Sequence, residues 1–227
     1  MEKIRPDFVL IDLDGTLIDS VPDLTYCVDE MLKQLDMPPR GEAAVRNWVG
    51  NGVERLVRRA LINALEGEPD EALFAKAYPI FLQLYKENTS KRSQVYPGVL
   101  EGLRWLKEND YRLGCVTNKA EAFTVPLLQD KGLYDYFDVV VSGDTCSKKK
   151  PDPAPLLYAA EQMGVSPDHA LMIGDSKSDV KAARAAGFHI FCLPYGYNHG
   201  EDIRHYNPDV LIDSMADLPK YLKAKGE

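Results

Sequence analysis

The stretch DFVLIDLDGTLIDS, residues 7–20, begins as an apolar strand and ends in two acids, Asp12 and Asp14. Its first half is continuously apolar rather than alternating, which is typical of a strand buried on both faces of a parallel sheet. Carboxylates placed side by side raise each other's pKa unless a positive charge lies among them. A buried strand that ends in two acids therefore indicates a functional site. Gly15 is the residue expected to let the backbone leave strand geometry at Asp14.

Short apolar runs rich in β-branched residues recur along the chain and predict strands. They occupy residues 8–13, 111–117, 137–143, 170–175, 189–193 and 209–213. Helical patterns lie between them, at residues 98–110, 120–132, 151–164 and 178–187. Pro126, inside the second of these patterns, predicts a late helix start or a kink. The alternation of strands and helices predicts an α/β fold with a doubly wound, parallel, Rossmann-like sheet.

Residues 21–93 interrupt this alternation, because they contain no convincing strand. They have four helical patterns instead, at residues 23–35, 41–49, 52–65 and 70–88. Proline and glycine punctuate the chain near residues 19–22 and 94–98, on either side of the interruption. We therefore predict two domains. An α/β core that carries the chemistry comprises residues 1–20 and 94–227, and a helical cap domain, residues 21–93, is inserted after the first strand.

The overall composition excludes some classes of protein. The chain of 227 residues has a net charge of −8, which disfavours a nucleic-acid-binding protein because such proteins present basic surfaces. Its four cysteines are scattered and form no CxxC motif, so reduced thiols are expected. The first residues lack the apolar stretch of a signal peptide, and no run reaches the roughly 18 apolar residues of a membrane span. A soluble cytoplasmic protein without nucleic-acid or membrane partners is the expectation.

Polar side chains follow several of the predicted strands. They are Asp12 and Asp14, then Thr117 and Asn118, then Lys150, and finally Asp175 with Asp179 on the next helix. Ligands of open parallel sheets bind beyond the carboxyl ends of the strands, so these groups are expected at one edge of the sheet. Oxygen-rich acid clusters suit Mg²⁺, which would relieve the repulsion between the acids and neutralise phosphoryl oxygens.

Four motifs stand in order, each at the end of a predicted strand: residues 12–16 (DLDGT), 117–118 (TN), 150–151 (KP) and 174–179 (GDSKSD). Together they resemble the haloacid dehalogenase superfamily of phosphotransferases. The resemblance covers almost the whole chain, with the helical insert in the position of the family's cap. It implies a phosphoric monoester hydrolase that acts on a small phosphorylated metabolite, uses Mg²⁺ and forms an aspartyl-phosphate.

The resemblance also implies a role for each acid. Asp12 would attack phosphorus, and Asp14 would protonate the leaving group and then activate water. Asp175 would bind Mg²⁺ together with Asp12 and the backbone carbonyl of Asp14. Asp179 would support this metal site from the adjoining helix.

The remaining motif residues are implied to contact the phosphoryl group. Thr117 would donate a hydrogen bond to a phosphoryl oxygen, with Asn118 nearby and Gly15 also at the substrate. Lys150 would hold Asp12 and balance the developing charge. Lys150 is chosen from a run of three lysines because a proline follows it, as in the family pattern.

The insert suggests the substrate. The stretch VGNGVERLVRRAL (49–61), with YPGV (96–99) and YGYNHG (195–200), resembles the branch of the superfamily that hydrolyses 2-phosphoglycolate to glycolate and phosphate. Arg55 is a candidate to bind the substrate carboxylate, although Arg58 or Arg59 could as easily be solvated on the same helix. A related small-metabolite phosphatase, a pyrophosphatase and a non-catalytic metabolite-binding regulator are the alternatives. Both a monomer and a homodimer remain open.

Overall fold

A six-stranded parallel sheet forms the centre of the computed structural model, which describes residues 2–227. In chain order the strands are β1 (Phe8–Ile11), β2 (Ile18–Asp19), β3 (Gln94–Val95), β4 (Arg112–Val116), β5 (Val139–Val141), β6 (Ala170–Gly174), β7 (His189–Cys192) and β8 (Val210–Leu211). The sheet has the order β5-β4-β1-β6-β7-β8, and every neighbouring pair is parallel. Ile11, the last residue of β1, lies between Cys115 and Ile173. The predicted doubly wound α/β fold is confirmed.

Helices cover both faces of this sheet. The α-helices within residues 2–227 are α1 (Val21–Gln34), α2 (Glu42–Trp48), α3 (Val53–Ile62), α4 (Glu71–Asn88), α5 (Val99–Glu108), α6 (Glu121–Asp130), α7 (Ala154–Met163) and α8 (Lys177–Ala186). Val9 and Ile11 pack in the core that α5 and α6 cover, while Phe8 and Leu10 pack in the core that α7 and α8 cover. Because β1 is buried on both faces, its sequence is continuously apolar. No helix among residues 2–227 is both long and apolar enough to cross a membrane.

Residues 21–93, called the helical segment below, contain α1 to α4 and no strand. Their apolar faces meet in a hydrophobic cluster of their own, with Met31, Trp48 and Phe81 among its members. Phe123 and Tyr197, which lie outside the segment, also belong to this cluster, so the segment packs against residues that follow β4 and β7. The four helices are those that the sequence predicts, whereas the division into two domains stays a prediction.

Two short antiparallel strands, β2 and β3, carry the chain into and out of the helical segment. Asp23 links the start of the helical segment to its end. It is fully buried and accepts hydrogen bonds from the backbone N–H groups of Arg92 and Ser93 and from the Ser93 hydroxyl. A buried carboxylate needs several donors of this kind to offset the loss of water. The strand pair was not predicted, because two-residue strands leave no periodic signal in a sequence.

Helix α6 differs from its prediction. It begins at Glu121 and continues through Pro126, so the expected late start is wrong. Proline removes one backbone hydrogen bond from a helix interior. Phe123, Leu127 and Leu128 are buried along the same helix, and their packing offsets this loss.

Candidate active site

The carboxyl ends of four parallel strands meet at one edge of the sheet. Asp12 follows β1, Thr117 and Asn118 follow β4, Lys150 lies in the connection after β5, and Asp175 follows β6. The strand β1 lies between β4 and β6, where the direction of the crossovers reverses, and such switch points are where open sheets bind ligands. One cavity at this edge is lined by Asp12, Asp14, Leu24, Val49, Gly50, Gly52, Val53, Leu56, Thr117, Asn118, Lys119, Lys150, Asp175, Ser176, Ser178 and Tyr197.

Lys150 is the buried cation at the base of the cavity, with only 3% of its surface exposed. Its ammonium lies 2.8 Å from Asp12 Oδ1 and donates to Asp179 Oδ1 at 2.7 Å and to the Val116 carbonyl at 2.9 Å. Three acceptors match the three N–H donors of an ammonium. Burial disfavours the charged lysine, but Asp12 and Asp179 outweigh burial and raise the pKa of Lys150. Lys150, rather than its two lysine neighbours, therefore lies among the acids.

Asp12 has two unequal carboxylate oxygens. Oδ1 lies beside Lys150 and accepts a hydrogen bond from the Leu13 backbone N–H at 2.7 Å. Oδ2 receives no hydrogen bond from any residue in the range 2–227. Because Asp12 is 8% exposed and lines the cavity, this second oxygen is available to a ligand there.

Asp12, Asp175 and Asp179, called the carboxylate cluster below, each place one oxygen within 4.8 Å of the others. Burial raises the pKa of Asp12 to about 7, with Lys150 opposing and Asp179 adding to the rise. Burial, followed by the charges of Asp12 and Asp179, also raises the pKa of Asp175 well above its ordinary value. The cluster therefore holds more negative charge than Lys150 compensates.

The donor set of the cluster fits a hard divalent cation, because it is buried and consists of oxygen atoms. Thr16 and the Tyr197 backbone N–H hold the Asp175 carboxylate in place. Asp179 faces Lys150 with one oxygen and accepts from the Ser176 backbone and hydroxyl with the other, so it is suited to support the site from behind. No described residue donates a hydrogen bond to the backbone carbonyl of Asp14.

The raised pKa of Asp12 makes a prediction about stability. In chelator, the folded protein binds this proton up to about pH 7, whereas the unfolded chain releases it near the ordinary aspartate pKa of 3.8. Stability from this group is therefore lost as the pH rises through that window. Relative to Asp12→Asn, the wild-type free energy of unfolding should fall by roughly 2–4 kcal/mol between about pH 4 and about pH 8. Denaturant titrations of both proteins in chelator measure it, and a pH-independent difference would contradict it.

Asp14 is turned away from the carboxylate cluster. Its Oδ1 accepts from the Ser20 hydroxyl at 2.6 Å, and its Oδ2 lies 3.1 Å from the ammonium of Lys119. The Asp14 side chain does not belong to the metal-ligating group, so only its backbone carbonyl remains as a proposed ligand. The structure thus separates the two acids of the opening motif into two chemical environments.

Lys119 is a cavity residue that the sequence reasoning missed. It is 4% exposed and donates to the Tyr85 hydroxyl of α4 at 2.6 Å. Burial lowers the pKa of Lys119, but the nearby Asp14 carboxylate and Tyr85 reverse this and leave the pKa raised. Its place directly after Thr117 and Asn118 was the available signal, since those residues were already expected at the ligand edge.

Gly15 has a steric role at the site. Its φ of +90° suits glycine, and a Cβ there would lie 2.3 Å from Asp175 Oδ2. The Gly15 residue does not itself line the cavity, so its expected contact with substrate stays a prediction. The backbone departure at Asp14 is present, because β1 ends at Ile11 and Asp14 forms an isolated bridge with Ile18.

Thr117 and Asn118 lie in the cavity wall, as expected. The Thr117 hydroxyl accepts from the Lys119 backbone N–H at 3.1 Å. The Asn118 side chain donates to the carbonyls of Gly50 and Lys150, each at 2.9 Å, and so joins the helical segment to the sheet edge. Its buried Oδ1 has no hydrogen-bond partner among the described residues.

Arg55 is not brought to the cavity. Its guanidinium faces the loop after α3 and pairs with Glu66 at 3.1 Å and with Glu68. Val53 and Leu56 of the same helix line the cavity instead, because they occupy the opposite face of α3. The prediction that Arg55 binds the substrate is therefore not supported by this geometry.

The comparisons with known proteins agree with this arrangement. The family model described as haloacid dehalogenase-like hydrolase matches residues 9–193. The chain therefore belongs to the haloacid dehalogenase-like hydrolases. The family resemblance and the hydrolase class predicted from the motifs are confirmed.

Individual relatives show which members of the family this chain resembles. A protein of Nitrosococcus oceani named phosphoglycolate phosphatase is 62% identical over 218 residues, which cover 96% of this chain and 97% of the relative. One of Nitrosospira multiformis with the same name is 47% identical, with 95% of each chain covered. A crystal structure from Haemophilus somnus 129pt, described as a predicted phosphoglycolate phosphatase, is 36% identical with a TM-score of 0.90, covering 96% of this chain and 98% of that one.

Proposed function

We propose that this chain is a Mg²⁺-dependent phosphatase that hydrolyses 2-phosphoglycolate to glycolate and phosphate through an aspartyl-phosphate on Asp12. The observation that carries the proposal is the state of Asp12. It is a buried carboxylate with one oxygen held by Lys150 and Leu13 and the other oxygen unbonded. An oxygen that faces the cavity without a protein donor is free to react with a ligand, which favours a reacting group over a structural one.

The reaction divides between the two acids. The free oxygen of Asp12 attacks phosphorus, the bond from phosphorus to the alkoxide oxygen breaks, and Asp14 gives that oxygen its proton. Asp14 then takes a proton from the water that attacks the aspartyl-phosphate, which releases phosphate and restores Asp12. Ser20 and Lys119 hold the Asp14 carboxylate in one orientation for both steps.

The other site residues would stabilise the negative charge of the phosphoryl group. Thr117 would donate its hydroxyl hydrogen to a phosphoryl oxygen, with Asn118 beside it, and Lys150 would balance the charge on the attacked group. Asp12, Asp175 and the Asp14 carbonyl would hold Mg²⁺, with Asp179 in support. The bound cation would supply positive charge to the phosphoryl oxygens.

The cavity favours a small ester. Its volume is about 40 Å³, a few times the space that one water molecule needs, and it is not fully enclosed. The helical segment supplies an apolar wall with Leu24, Val49, Val53 and Leu56. We propose that residues 21–93 act as a cap that excludes water over the substrate. The names of the relatives supply the particular substrate, 2-phosphoglycolate.

A panel of phosphate esters tests the proposal. We expect kcat/KM with Mg²⁺ to be at least about 10-fold higher for 2-phosphoglycolate than for a sugar phosphate, a nucleotide or pyrophosphate. EDTA should abolish turnover and added Mg²⁺ should restore it. A preference for another ester would overturn the substrate, and full activity in EDTA would overturn the metal. Binding without turnover would favour the regulator.

A further inference from the structure

Among residues 2–227, two cationic side chains line the cavity, Lys119 and Lys150. They differ in how many of their N–H donors have an acceptor within the protein. Lys150 has three acceptors within 2.9 Å, Asp12, Asp179 and Val116, and these match its three N–H donors. Lys119 has two, the Tyr85 hydroxyl at 2.6 Å and Asp14 Oδ2 at 3.1 Å. Lys119 therefore keeps one N–H donor for another partner.

The ammonium of Lys119 is held firmly in place. Tyr85 is fully buried in α4, and its ring packs on Phe123 with ring centroids 4.7 Å apart and on Phe81 at 5.5 Å. The lysine ammonium also lies 5.0 Å from the centre of the Tyr85 ring. A preorganised cation in a buried cavity binds an anion more tightly than a flexible surface lysine does, because less side-chain freedom is lost.

The three arginines of α3 form ion pairs or hydrogen bonds outside the cavity. Arg55 pairs with Glu66 and Glu68, and Arg58 pairs with Glu54, Glu68 and Glu71. Arg59 is buried and donates to the carbonyls of Trp48 and Leu65 and to Asn51 Oδ1. None of the three lines the cavity. A second anionic group on the substrate would therefore meet Lys119 and not an arginine of α3.

We propose that Lys119 is the specificity-determining residue for the carboxylate of the substrate. This inference rests on the proposed function, in which Asp14 protonates the ester oxygen. That oxygen must lie within hydrogen-bond reach of Asp14, and Lys119 lies 3.1 Å from the same carboxylate. In 2-phosphoglycolate the carboxylate carbon is two bonds from the ester oxygen. Its oxygens therefore fall within reach of the uncommitted N–H of Lys119, which favours small phosphomonoesters with a carboxylate at this distance.

The test compares two esters of the same length with Mg²⁺ present: 2-phosphoglycolate, and 2-hydroxyethyl phosphate, which has a neutral hydroxyl in place of the carboxylate. For Lys119→Gln we expect kcat/KM for 2-phosphoglycolate to fall by roughly 100-fold, largely through KM, because one buried charge-assisted contact is lost. The fall for 2-hydroxyethyl phosphate should be at least about 10-fold smaller, since this ester loses only the effect of the lysine on Asp14 and makes no carboxylate contact of its own. Lys119→Arg, which keeps the charge, should retain part of the preference.

Controls separate the possible outcomes. Lys148→Gln removes an exposed lysine that pairs with Asp152 and should change neither ester. If Lys119→Gln does not fold, Tyr85→Phe keeps the lysine but frees its ammonium, and it should lower the preference by roughly 5-fold. If Lys119→Gln lowered kcat/KM equally for both esters, the inference would be overturned and Lys119 would be a positioning residue for Asp14. An unchanged preference for 2-phosphoglycolate in Tyr85→Phe would overturn it as well. A wild-type protein without preference for 2-phosphoglycolate would instead overturn the proposed substrate.

Discussion

Replacement of Asp12 by asparagine should reduce kcat for 2-phosphoglycolate by about 10⁴-fold or more, because the amide cannot form the aspartyl-phosphate. The change is nearly isosteric and removes negative charge from the crowded carboxylate cluster, so the folded state should persist. Steady-state kinetics with Mg²⁺ measure the loss, and the denaturant titration described above shows that the variant is folded. Loss of turnover without loss of stability identifies a reacting group.

A matched control and a trapping experiment make the assignment specific. Asp217→Asn removes a carboxylate that pairs with Lys220 outside the cavity, and it should leave kcat unchanged. A short incubation with labelled substrate, followed by rapid quenching, should place the label on Asp12 in the wild-type protein. Substantial turnover by Asp12→Asn, or label on a different residue, would show that the nucleophile is elsewhere.

The motif residues could be placed from the sequence because of one topological rule. Asp12, Thr117, Lys150 and Asp175 each follow an apolar run, and the carboxyl ends of parallel strands meet at one edge. Their convergence in one cavity thus follows once the runs are interpreted as strands of a parallel sheet. The sequence also located all four helices of the helical segment, because their apolar residues recur with helical spacing.

The wall of the cavity that faces the helical segment could not be predicted in the same way. Lys119 directly follows Thr117 and Asn118, which points to the ligand edge of the sheet. Lysine is almost never fully buried unless it is paired, so the burial of Lys119 could not be predicted without knowledge of its partners. Those partners, Asp14 and Tyr85, are distant in sequence and meet Lys119 only through the packing of α4 against the sheet edge. The prediction for Arg55 has the same weakness, since helical spacing does not tell which face of α3 meets the cavity and which meets Glu66.

Replacement of Lys150 by methionine should cause the second large effect. It leaves Asp12 and Asp179 as buried acids without their cation, and we expect the free energy of unfolding to fall by about 3–5 kcal/mol. The loss of positive charge at the attacked group should also lower kcat by roughly 10²–10³-fold. Denaturant unfolding and steady-state kinetics with Mg²⁺ measure the two effects. Lys148→Met, in the same lysine run but exposed, is the matched control and should change neither quantity.

A double variant separates the two effects of Lys150. Adding Asp179→Asn removes one of the uncompensated charges, so it should restore part of the lost stability. It should not restore kcat, because the charge next to the Asp12 nucleophile is still missing. If the double variant recovered both stability and kcat, Lys150 would serve the fold alone. A normal kcat in Lys150→Met together with a loss of kcat in Lys149→Met would contradict the assignment. Lys149 would then be the lysine that balances the charge, and the contacts of Asp12 described above would not be those of the reacting state.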